Sequence, residues 1–132
     1  MYEETTEGVR IRVTPAYAPA ESAPADHRYF WTYTIEITNL SARTVKLINR
    51  YWRIVDATGK EQEVRGDGVV GKQPVLRPGE AFTYTSGCPL TAPTGMMGGH
   101  YGMIDVQAHM PFVAIVPTFA LDSPFTDRTR AN

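Results

Sequence analysis

A chain of 132 residues fits one domain and buries roughly two-thirds of its unfolded surface, enough for a single core. Thirteen Lys and Arg against 14 Asp and Glu leave a net charge of −1, so no global field recruits nucleic acid or an anionic membrane. Apolar residues at 42% and charged residues at 20% are a globular balance. No apolar run approaches the roughly 18 residues of a membrane helix. The start, Met-Tyr-Glu-Glu-Thr-Thr-Glu, is the opposite of a signal peptide, so a cytoplasmic address is expected. The single cysteine, Cys88, excludes an internal disulfide and any zinc site built on several cysteines.

Eleven glycines and ten prolines are spread through most of the chain and leave few windows for a long helix. Val9, Ile11 and Val13 alternate with Arg10, Arg12 and Thr14, which predicts a first strand. Thr14 to Asp26 holds Pro15, Pro19, Pro24 and five alanines, and reads as a long excursion between strands. From Tyr29, the residues Trp31, Tyr33, Ile35 and Ile37 share one face and Thr32, Thr34, Glu36 and Thr38 the other, a half-buried strand. A second long strand runs from Val45 to Val55, and Asp56-Ala57-Thr58-Gly59 turns it into a return at Glu61 to Val64. Val75-Leu76 precedes the Arg77-Pro78-Gly79-Glu80 turn, and Phe82 to Ser86 alternates again. Tyr101 to Ala108 and Phe112 to Leu121 form a last pair. Seven or eight short strands without a helix predict an all-β, antiparallel β-sandwich. Residues 1–124 are read as one domain, and 125–132 as a flexible polar tail.

The stretch Glu63 to Glu80 (EVRGDGVVGKQPVLRPGE) resembles the ApaG family, also called CorD. The likeness continues through Phe82, Tyr84, Ser86-Gly87, the Pro93-Thr94-Gly95-Met96-Met97-Gly98-Gly99-His100-Tyr101 segment, and Pro117, Phe119 and Leu121. Upstream, Asn39-Leu40-Ser41, Leu47, Arg50, Trp52, Ile54 and Asp56 to Gly59 also agree, so it covers about Val9 to Pro124. His109 departs from a glycine of the family pattern. Histidine tolerates a left-handed φ better than bulky residues do, so the hairpin is expected to survive with slight strain. The Thr14–Asp26 loop is longer than is usual in the family. The resemblance implies a fibronectin type III-like or immunoglobulin-like sandwich. It also implies an association with cobalt resistance and magnesium efflux, and with a gene neighbourhood of dinucleoside-polyphosphate hydrolysis. Eukaryotic relatives carry the domain in F-box proteins and in a DNA-polymerase-interacting protein, as a protein-recognition module.

Gly66-Asp67-Gly68-Val69-Val70-Gly71 satisfies G-x-G-x-x-G, the pattern of loops whose glycines let backbone amides approach a phosphate. The helix that such a loop requires is denied by Pro74 and Pro78. Structural glycines between two strands are one reading. A nest of backbone N–H groups for an anion, with Arg65, Lys72 and Arg77 adding charge, is the other. Arg65-Gly66-Asp67 and the sequon Asn39-Leu40-Ser41 both need an extracellular address and are set aside.

His27, His100 and His109 have no short-spaced pair, and Asp56, Asp67 and Asp105 are single acids on separate elements, so no metal site is expected. Met97 and Met103 are read as packing residues. Cys88 as a nucleophile would need a His and an acid that nothing in the sequence places beside it, so neither an enzyme nor a cofactor is expected. Trp31, Trp52, Tyr33 and Phe82 sit at strand positions that a core fills, which leaves no stacking platform for nucleic acid. The reading is a non-enzymatic binding or adaptor module with an unidentified protein partner, as monomer or homodimer. Its contact residues are expected in two glycine loops: Arg65, Gly66, Gly68, Gly71 and Lys72 in one, Gly95, Gly98, Gly99 and His100 in the other. The alternative is a phosphate, pyrophosphate or nucleotide ligand at Gly66–Gly71.

Overall fold

The structure is a computed structural model that describes residues 1–125. Nine strands occur among the described residues: β1 (Tyr2–Thr6), β2 (Val9–Tyr17), β3 (Tyr29–Asn39), β4 (Val45–Asp56), β5 (Glu61–Asp67), β6 (Val75–Leu76), β7 (Ala81–Leu90), β8 (Gly95–Asp105) and β9 (Met110–Leu121). One sheet runs β1-β2-β3-β7 and the other β5-β4-β8-β9, with β6 pairing β4 beyond β5; all pairings are antiparallel. The two sheets enclose one core of alternate residues, among them Ile11, Trp31, Ile35 and Ile37 from one sheet and Leu47, Trp52, Tyr101 and Phe119 from the other. A β-sandwich is thereby formed, as the alternation predicts.

Three expectations need correcting. The N-terminal segment is a ninth strand, because Glu7 (φ 48°) and Gly8 (φ 82°) form a two-residue hairpin turn that folds Tyr2–Thr6 back onto β2. The excursion begins after Tyr17, not at Thr14. Pro15 fits inside β2 because β1 ends opposite Val13, so this stretch of β2 has a free edge and needs no N–H there. The excursion itself holds two 3-10 turns, Pro19–Glu21 and Pro24–Asp26. Phe125, assigned to the tail, packs its ring against Tyr17 and Tyr29 at 6.5 and 5.9 Å. The rest of the tail expectation, 126–132, lies outside the described residues.

Candidate functional site

β4 carries a bulge between Leu47 and Asn49 in its register with β8. The extra residue, Ile48, turns its carbonyl outward, where it accepts from the Gly68 amide at 2.8 Å and from Gln73 Nε2 at 2.9 Å. Leu47 N donates to Pro74 O at 3.0 Å, so β5 and β6 form one edge strand interrupted between Gly68 and Pro74. The interruption is a tight hairpin. Val69 and Lys72 exchange backbone hydrogen bonds (2.8 and 2.9 Å), and both central residues, Val70 (φ 44°) and Gly71 (φ 77°), are left-handed. A Cβ on Gly68 would lie 2.2 Å from Lys72 O, so only glycine fits there.

The turn is held by Arg50. Its Nη1 donates to the carbonyls of Asp67 (3.0 Å) and Gly68 (3.1 Å), and the guanidinium fills the space where Gly66 would carry a Cβ. No carboxylate pairs with Arg50 among the described residues. The glycines of the G-x-G-x-x-G pattern thus serve a bulge-anchored hairpin, and the amides of Gly68, Val69 and Lys72 are engaged within it. Lys72 does not face Arg65. It lines a separate groove with Gln73 to Leu76 and Glu80 to Phe82.

The second expected loop is not a loop. Gly95, Gly98, Gly99 and His100 lie in β8, a central strand paired with β4 on one side and β9 on the other. Their small size serves close approach. A Cβ on Gly99 would lie 1.9 Å from Tyr51 O, and one on Gly95 2.9 Å from Val55 O. Gly98 lies against a β9 bulge in which Pro117 and Thr118 stand between the Val116–Gly99 and Phe119–Met97 pairs.

His100 nevertheless joins the first group. Register places Arg65, Tyr51, His100 and Ile115 in one row across β5, β4, β8 and β9, on the outward face. Arg65 lies over the Tyr51 ring (4.5 Å to its centroid) and His100 stacks against it (5.0 Å). Tyr51 donates to Glu63 at 2.9 Å, and the hydrogen bond to that carboxylate raises the phenol above its ordinary range. Glu63 also pairs with Arg65 at 3.5 Å. A shallow pocket of about 330 Å³ opens here, lined by Asn49, Arg50, Tyr51, Arg65, Gly66, Asp67 and His100. Asn49, Arg50 and Tyr51 were not among the expected site residues. For Asn49 and Tyr51 the signal was the outward half of the β4 alternation, opposite Trp52 and Ile54, whereas Arg50 shares the phase of Trp52 and pairs with Gly66 and Tyr101.

Burial pushes the Cys88 thiol up to about 11, against reactivity as a thiolate. The hydroxyls of Tyr84 and Tyr101 hydrogen-bond to each other in the core, with burial raising both. Among the described residues no three His, Cys, Asp or Glu side chains group as metal ligands. None of their helices is long and apolar enough to cross a membrane.

Comparison with known proteins agrees with this architecture. Protein ApaG of Methylorubrum populi is 52% identical over 128 residues, covering 97% of this chain and 98% of that one. Protein ApaG of Rhodospirillum centenum is 49% identical over 132 residues, the whole of both chains. The crystal structure of the ApaA protein from Bordetella pertussis superposes with a TM-score of 0.85 at 44% identity, over 88% of this chain and 94% of that one. The C-terminal domain of Wzt shares the fold alone, at 10% identity and a TM-score of 0.53. The family model described as the ApaG domain matches residues 19–105, and on that match and these identities the chain belongs to the ApaG family.

Proposed function

We propose that the protein is a non-enzymatic, cytoplasmic recognition module that binds a protein partner through the outer face of its β5-β4-β8-β9 sheet. The supporting observation is the contrast between the two outer faces. The central rows of the β1-β2-β3-β7 face hold Thr32, Thr34, Thr83 and Thr85, with Arg10 and Arg12 paired to Glu36 and Glu3. That surface pairs its arginines with its own carboxylates. The opposite face sets the Arg65–Tyr51–His100 stack beside Ile115 and Val113, which are 37% and 42% exposed. Aromatic and Arg residues beside exposed aliphatics are the composition of an interface centre. Any role in cobalt or magnesium handling then runs through the partner.

The test is capture from lysate with the Tyr51→Ser/Ile115→Ser variant beside Arg12→Gln on the other face, thermal midpoints being matched. A recurrent protein should be lost at least about tenfold in the first and kept in the second. Equal capture by both variants, or no protein above background, would reject the reading. Gly68→Trp is unsuitable, because its side chain collides with Lys72 O and reports only on folding.

A second reading rests on Arg50, half-buried without a carboxylate and bordering the 330 Å³ pocket. In this reading the pocket takes a phosphate, pyrophosphate or nucleotide group, with Arg65 and His100 completing it. A ligand at 100 times its dissociation constant stabilises the fold by about 2.7 kcal/mol. Pyrophosphate, ATP or diadenosine tetraphosphate at millimolar concentration should therefore raise the midpoint, less so in Arg65→Gln. No shift with any of the three would discard it.

A further inference from the structure

A second cavity lies at the other end of β5, about 20 Å from the Gly66–Lys72 turn at the rise of an extended strand. It has a volume of about 590 Å³, within the range of small-molecule sites. One wall is the Pro/Ala-rich excursion after β2. That segment is fixed by its own hydrogen bonds: Ser22 Oγ donates to Ala18 O (2.8 Å) and accepts from Phe30 N (2.9 Å), and Ala23 N donates to Arg28 O (2.8 Å). The apolar lining comes from Tyr29, Phe30, Pro89 and Leu90. The outer edge of the Phe30 ring occupies the space over Gly87 of β7 because Gly87 has no side chain; a Cβ there would meet the ring at 2.3 Å.

Two cations enter from different sheets, Arg28 ahead of β3 and Lys60 ahead of β5. Glu21 is the one carboxylate in the lining. Asp26 lies outside it and pairs loosely with Arg28, at 3.7 Å between exposed side chains. The lining therefore carries one net positive charge over an aromatic and aliphatic surface. We propose that this cavity is a binding site for a small monocarboxylate with an aromatic or branched aliphatic body, the body against Phe30 and Leu90 and the carboxylate between Arg28 and Lys60. Both cations are exposed, so each can be changed without touching the core.

The probe is naphthylacetate, titrated into the full chain and followed by backbone amide NMR shifts, with uncharged naphthylacetamide as the matched control. Saturable, one-site shifts should appear at Arg28 to Phe30, Lys60 and Leu90. Affinity should fall at least about tenfold in Arg28→Gln/Lys60→Gln and further in Lys60→Glu, and naphthylacetamide should bind at least about tenfold more weakly. Shifts that fail to saturate at millimolar probe, that fall elsewhere, that survive both variants, or that are equalled by the amide would overturn the assignment. Tyr51→Ser should leave the titration unchanged, so the outcome is independent of the partner-binding face.

Discussion

Val70 is the most strained residue of the candidate site. A β-branched side chain at φ 44° is an outlier, because left-handed backbone costs an L-residue roughly 1–2 kcal/mol. Its side chain is 54% exposed, so packing does not repay that strain. Val70→Gly should therefore raise the urea unfolding free energy by about 1 kcal/mol. His109 (φ 56°) adopts the left-handed conformation expected where the family pattern has glycine, and His109→Gly should act in the same direction. Cys88 offers a kinetic check. With its thiol buried and pushed up to about 11, it should react with a disulfide reagent at neutral pH only after denaturant is added. Asn39 of the Asn39-Leu40-Ser41 sequon is enclosed in the fold: the buried amide donates to Arg43 O (2.6 Å) and Leu76 O (2.9 Å) and accepts from Ser41.

At the scale of elements, glycines and turns decide which strands can meet. Gly99→Ala would push a methyl into the Tyr51 carbonyl in the middle of the β4–β8 ladder, costing about 2–3 kcal/mol in a chemical melt. Gly71→Ala has open space and only a left-handed φ to oppose it, so its loss should be smaller, about 1 kcal/mol. The β4–β5 hairpin depends on Asp56, whose carboxylate accepts from the Thr58 hydroxyl (2.6 Å), the Thr58 amide (2.9 Å) and the Lys60 amide (3.1 Å). These donors favour the ionised form and hold its pKa below the ordinary value, the hydroxyl bond being the largest cause. A carboxylate lowered on folding stabilises the fold above its unfolded pKa, about 3.9, and loses that contribution as pH falls through the folded value. Wild type should lose stability across that acid window more steeply than Asp56→Asn.

At the scale of the molecule, β1 closes the sandwich on one side. Tyr2 and Thr6 offer their hydroxyl oxygens to Ala120 N and Ile115 N (both 3.2 Å), capping amides of β9, which ends its sheet. Removing residues 1–7 should expose that edge and increase aggregation measured by light scattering. On the other side β5 is left open, and its Glu61, Glu63 and Arg65 suit a solvated edge. The alternation from Tyr29 to Val55 and the turns at Gly59 and Pro78-Gly79 were legible because each is a local property with a period of two or a required positive φ. β1 was not, since Tyr2–Thr6 alternates weakly and is held by register with β2. Nor was Gly95–Gly99 as a strand, since three glycines in five residues read locally as a loop while both flanking strands pair with it. The sequence by itself determined the class of fold, the core aromatics and the family. Only the tertiary structure brought Arg65, Tyr51 and His100 into one row and assigned Arg50 to the turn, because antiparallel register joins residues 14 to 49 positions apart that no local pattern can align.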